Sequence, residues 1–179
     1  MGIHSPLAWT IRPATAADAE ALAMIAQATF LEAYAGLVEG ADMLAHARTQ
    51  NSADAMRATL DAGGRIWIAE AEGTRAPIGF AMLVASTLPD AQPGDIELKR
   101  IYVLDRCQGT GLAAALLKSV VDAGAGHARL TLGVNRDNEK AQGFYRKHGF
   151  AIAGTRTFTV GTTTFDDYIY ARPLPESLT

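Results

Sequence analysis

Between Gln108 and Ala113 the chain reads Gln-Gly-Thr-Gly-Leu-Ala, and these residue types point to anion chemistry. Gly109 and Gly111 permit a tight turn and leave no side chain in the way of an approaching ligand. The first amides of a helix opening at Leu112 would face that ligand, with the helix dipole behind them. Such a loop supports a diphosphate held by main chain, without a lysine; a ligand-free strand-to-helix turn would read the same way. Gly109, Gly111 and Ala114 also satisfy Gly-x-Gly-x-x-Ala, but a dinucleotide site needs an apolar strand beforehand and an acid about 20 residues later. The preceding strand instead carries Glu97, Lys99 and Arg100, and residues 129–132 hold no acid. No Gly-Lys-Ser/Thr follows the glycines, which removes the triphosphate-binding loop as well.

Two neighbouring patterns add to this. Ile96 and Leu98 alternate as strand residues should, then Lys99 and Arg100 intervene before Ile101. The broken period predicts a β-bulge that splays the strand and frees backbone for a ligand, or else an edge strand with a charged face. Further on, Asn138 stands where a helix N-cap or a ligand-binding amide would sit. Tyr145 follows on that helix beside the Ala141, Phe144 and His148 face. A phenol, with an ordinary pKa near 10, could protonate a leaving thiolate, or could simply fill the core.

The elements that must position these groups follow from periodicity. A strand at residues 10–13 precedes a helix over 16–35 with Thr15 as its cap, and one or two irregular helices occupy 40–62. Strands are expected at 66–69, 78–84, 95–103 and 130–134, a helix from Leu112 to about 124, and a short helix at 139–148. A closing hairpin turns at Gly161. This order describes one mixed α/β domain.

At 179 residues, 49% hydrophobic and 20% charged, the chain has the composition of a globular domain. A formal net charge of −3 excludes a simple electrostatic nucleic-acid binder. No run is apolar enough to span a bilayer, and residues 1–9 carry no secretion pattern. The single cysteine, Cys107, suits a reducing compartment, so a cytoplasmic location is expected. His4, His46, His127 and His148 lack ligand spacing, and no metal is expected.

Taken together, the chain resembles the GNAT superfamily of acetyl-CoA-dependent N-acetyltransferases over roughly residues 10–174, with 1–9 and 175–179 as tails. The likeness is carried by Gln108 to Ala113, by the Asn138 to Phe150 block and by Ile101-Tyr102-Val103 ahead of both. Ala113 stands where the family more often has glycine. The resemblance implies a mostly antiparallel sheet of about seven strands with a splayed central pair and about four helices. It also implies that the main chain of Ile101, Tyr102 and Val103 pairs with the pantetheine arm. The amides of Gln108, Gly109, Thr110, Gly111, Leu112 and Ala113 would hold the pyrophosphate, and Asn138 would touch the pantetheine. Tyr145 would be the general acid, Glu97 the general base, and Tyr34 and Glu97 would meet the acceptor amine. Stretches at 28–34, 96–103 and 132–134 resemble bacterial spermine/spermidine N-acetyltransferases of the PaiA type. Glu32, Glu97, Asp166 and Asp167 are the acids available to a polyamine, although Asn135 replaces a tryptophan common in that group. An acceptor at a protein N-terminus, an amino-acid-like metabolite or a non-catalytic acetyl-CoA-binding module are the alternatives. A homodimer is left open by the superfamily.

Overall fold

A computed structural model describes residues 7–176; residues 1–6, including His4, and 177–179 lie outside the described residues, so the tails expected at either end are only partly covered. The chain forms seven strands: β1 (Trp9–Pro13), β2 (Arg65–Ala71), β3 (Pro77–Ala85), β4 (Asp95–Val103), β5 (Arg129–Asn135), β6 (Ala151–Val160) and β7 (Thr163–Pro173). They make one sheet in the order β1-β2-β3-β4-β5-β7-β6, antiparallel except for β4 beside β5. Five helices flank it: α1 (Ala19–Tyr34), α2 (Gly40–Thr49), α3 (Ala53–Asp61), α4 (Leu112–Ala123) and α5 (Glu139–Lys147).

The helix count exceeds the expected four because residues 40–62 break in two. Ser52 accepts a hydrogen bond from the Ala55 amide and so starts α3 afresh. The expected 16–35 helix opens as a 3-10 turn, Ala16–Asp18, where Asp18 accepts from the Thr15 amide and from Arg12.

Two apolar layers hold the helices on opposite faces of the sheet. On one, Leu112, Leu116, Leu117 and Val120 of α4 pack on Ile96, Leu98, Leu130 and Leu132. On the other, Leu22, Ile25 and Ala26 of α1 pack on Ile68, Phe80 and Met82. Beyond α1, the second face carries α3, whose Met56 is buried in the same layer, and α2, which has no fully buried residue. Asp42 of α2 accepts from the Thr162 amide and hydroxyl, so the helix is tied to the hairpin tip at Gly161.

The first residues of the parallel pair carry a buried clamp. Asp95 lies directly opposite Arg129 and accepts from its Nε at 2.9 Å and its Nη2 at 2.6 Å, and from the Gln92 amide. Hydrogen bonding by Arg129 holds the Asp95 carboxyl below the usual carboxylate range against the opposing effect of burial. Its stabilisation is therefore complete above about pH 4 and is lost as the pH falls below that. Arg129→Met leaves the carboxylate buried without its cation, and is expected to lower unfolding free energy by about 2 kcal/mol at pH 7. Urea titrations at pH 7 and pH 3 check this, because the difference between variant and wild type should shrink at the lower pH.

Candidate active site

The broken alternation in β4 is a bulge. Met82 pairs with Arg100 while Leu83 pairs with Leu98, leaving Lys99 as the extra, exposed residue. The insertion exchanges the faces of everything after it. Ile96, Leu98, Ile101 and Val103 all meet the α4 layer, whereas Tyr102 packs under α1 with Phe80.

Past the bulge, β4 and β5 part. Their pairing consists of Asp95↔Arg129, Ile96↔Leu130 and Glu97↔Thr131. Then β4 stays with β3 as far as Val103, while β5 stays with β7 as far as Asn135. The strands thus open as a V, and residues 101–103 present one unpaired main-chain edge to the gap. An extended ligand could dock there as an added strand.

The glycine loop stands beyond the end of β4. Gly109 and Gly111 have φ of 77° and 85°, and a Cβ at either would meet nothing within 4 Å. Backbone conformation, rather than crowding, requires glycine at both. Among the described residues no group accepts a hydrogen bond from the amides of Gly109 through Ala114; the first amide engaged is that of Ala115, bonded to Gly111. The Gln108 amide, expected in this set, instead donates to Asp105, so the free run is displaced by one residue towards the helix. The Gln108 side chain donates to Asp105 and accepts from Lys140, tying α5 to the loop. The glycines thus leave a cluster of unpartnered amides at a helix start, an arrangement that could receive an anion.

On α5, Asn138 is the N-cap: its Oδ1 accepts from the Ala141 amide at 3.0 Å. The Tyr145 ring packs edge-on to Phe150, with Tyr170 beyond. Burial, with a smaller effect of the Tyr102 phenol, raises the Tyr145 pKa well above the ordinary tyrosine value, so the group is protonated at neutral pH. Its hydroxyl has no hydrogen-bond partner, yet no fully enclosed side-chain polar atom among the described residues lacks one. The phenol oxygen is therefore not fully enclosed, although the ring around it is buried.

The expected acids are arranged differently from one another. Glu97 is 2% exposed, and its Oε2 accepts from the amide and hydroxyl of Thr87 at 3.0 and 3.1 Å. Its Oε1 has no partner and is not fully enclosed. Glu32 accepts from the Asp105 amide, joining α1 to the segment that leads into the glycine loop. Asp166 is exposed. Asp167 is buried, accepts from Arg156 Nε at 3.1 Å, and is shifted upward chiefly by burial. Tyr34 ends α1 against Phe30 and Phe165. Burial raises its pKa first, followed by the Tyr102 phenol and, more weakly, Asp167.

Sequence reasoning missed Arg156 and Gly133. A Cβ on Gly133 would collide with the Arg156 guanidinium, which lies on the β5 backbone there. Glycine inside a strand was the available signal for such a close approach. Cys107, beside the loop, is buried, and burial pushes its thiol up. Among the described residues no group of three or more His, Cys, Asp or Glu is placed to hold a metal ion, and no helix is long and apolar enough to cross a membrane.

Residues 30–150 match the model of the acetyltransferase (GNAT) family, and the chain belongs to that family. An uncharacterized N-acetyltransferase of Mycobacterium tuberculosis H37Rv is 43% identical over 99 residues, covering 54% of this chain and 60% of the relative. The chain thus spans three-fifths of the mycobacterial relatives it matches. The 5-NmdU N-acetyltransferase of Pseudomonas phage PaMx11 is 37% identical over 68 residues, 38% of this chain and 48% of that one. Among solved structures, the PaiA N-acetyltransferase of Thermoplasma acidophilum, in complex with coenzyme A, superimposes with a TM-score of 0.74 at 21% identity. That match covers 93% of this chain and 99% of the other. The ribosomal-protein-S18-alanine N-acetyltransferase of Escherichia coli has a TM-score of 0.65 at 21% identity, covering 95% and 96%.

Gly111→Ala forces a Cβ into left-handed backbone at the helix start. The expected loss is about 1 kcal/mol of unfolding free energy, read by urea denaturation. Inorganic pyrophosphate binding, followed by calorimetry, should weaken at the same time.

Proposed function

We propose that the protein is an acetyl-CoA-dependent N-acetyltransferase that moves the acetyl group to a primary amine by direct attack. The observation that carries this reading is the opening of β4 from β5 immediately beyond Glu97, with unpartnered amides past one arm and a Tyr145 hydroxyl that has no hydrogen-bond partner. Family membership supports acetyl-CoA as the donor. Its pantetheine arm would pair with the main chain of Ile101, Tyr102 and Val103, and its pyrophosphate would take the amides of Gly109 through Ala114. Asn138, whose Oδ1 is occupied by the α5 cap, keeps its side-chain NH2 for the pantetheine.

In this reading the amine and thioester meet in one ternary complex, and alignment supplies much of the rate. The amine, with an ordinary pKa near 10, must lose a proton before it attacks. Glu97 takes it through water at Oε1, because Oε2 is occupied by Thr87. Developing charge on the carbonyl oxygen is met by a main-chain amide near Val103. Tyr145 then protonates the departing thiolate; its upward shift keeps a proton available throughout the neutral range. The acceptor enters on the face bearing Tyr34. Likeness to the PaiA type supports a polyamine, while the arginines on that face bear on the acceptor's own charge.

Release of thiol from acetyl-CoA with a panel of amines tests the activity, and no release with any amine would overturn it. Tyr145→Phe is expected to lower kcat about 100-fold with little change in acetyl-CoA affinity. Retention of full turnover would remove the phenol from the reaction. Glu97→Gln should depress kcat/KM at pH 7 and approach wild type as the pH rises toward the amine pKa, whereas a parallel profile would assign the proton to another acceptor.

A further inference from the structure

On the acceptor face, two arginines stand near Tyr34. Arg156 lies flat on Gly133 and spends only its Nε on Asp167. Its two terminal nitrogens have no partner among the described residues, and neither is fully enclosed. Arg100, from the bulged strand, donates through Nη1 to the Gln50 carbonyl at 3.1 Å and to Asn51 Oδ1 at 2.6 Å. Both acceptors are neutral, and no carboxylate among the described residues lies within ion-pair distance of Arg100. Tyr34 packs edge-on to Phe165, which shares a face of β7 with Asp167, the partner of Arg156, while Asn51, the acceptor of Arg100, itself donates to the Ala26 carbonyl of the helix that ends in Tyr34.

The acids on this face leave the Arg156 fork open. Asp167 neutralises one guanidinium, Glu97 is held by Thr87, and Glu32 is turned to the Asp105 amide. A polyamine would bring several further cations to this wall. An amine with an anionic tail would find the unspent fork of Arg156, whose paired N–H groups match the oxygens of a carboxylate or phosphate.

The geometry points to an acceptor amine that also bears an anionic group, a carboxylate or phosphate, held by Arg156 on the Gly133 floor with Arg100 adding to the field. This rests on the acetyltransferase reading above. Arg156 and Asp167 are direct cross-strand neighbours, so a purely structural pair is the alternative to be separated.

Matched amines separate them: lysine against cadaverine, β-alanine against propylamine, and O-phosphoethanolamine against ethanolamine, with spermidine as the polycation. For the full chain, kcat/KM read by thiol release is expected to favour at least one anionic member over its partner by about tenfold or more, through KM. The carboxylate and phosphate pairs show which anion is preferred. In the double variant Arg156→Gln/Asp167→Asn, which leaves no buried carboxylate unpaired, KM for the anionic member should rise and the preference should fall to about onefold. If that variant does not fold, Arg156→Lys, which keeps the charge but not the fork, should raise the same KM. Equal or better turnover of the anion-free partners or of spermidine would overturn the proposal, as would an unchanged preference in the folded variant. Thiol release with no amine, while calorimetry still detects acetyl-CoA binding, would instead overturn the acetyltransferase reading, and this proposal with it.

Discussion

One extra residue in a strand governs the arrangement of the cleft. Lys99 has no partner on β3, and by inserting itself it reverses the facing of every later side chain in β4. Tyr102 is thereby turned toward α1, and Ile101 and Val103 toward α4. A bulge also strengthens local twist, and the parallel partner cannot follow. Pairing with β5 ends at Glu97↔Thr131, and the main-chain edge left behind is the feature that the proposed donor site requires. Sheet edges left unpaired inside a domain are costly; this one has reason to persist if a ligand completes it.

The two halves of the cleft are built by different physics. On the proposed donor side, recognition would come from backbone: glycines with positive φ, free amides and a helix dipole, anchored by Leu112 and Leu116 buried in the core. On the proposed acceptor side it would come from side chains, namely Tyr34, Arg100, Arg156 and Asp167, drawn from α1, β4, β6 and β7. Glu32 bridges the halves by reaching from α1 to the segment between β4 and the glycine loop. Asp95 and Arg129 secure the β4–β5 pair where the strands still run together.

The donor half was legible in the sequence because it is local. Alternation failing at Lys99–Arg100, glycines two apart before an apolar helix, and Asn138 three residues before Ala141 each encode geometry within a few positions. The acceptor half was not, since Arg156 reaches Gly133 across β7 and Arg100 reaches Asn51 from 49 residues away. Thr87 likewise occupies Glu97 through a loop whose composition announces nothing. Where one or two helices were open over residues 40–62, Ser52 decides for two by capping the second.

Helix α2 has no fully buried residue and is held by Asp42 at the hairpin tip, by His46 stacked on Phe30, and by Arg100 beneath the Gln50 carbonyl. Removing or rebuilding it would disturb little of either apolar layer. Substitutions on the exposed side of α2 therefore carry a small folding penalty, while those in α4 or the V do not. Divergence within such a scaffold can trade one acceptor for another at almost constant stability, leaving the donor machinery untouched.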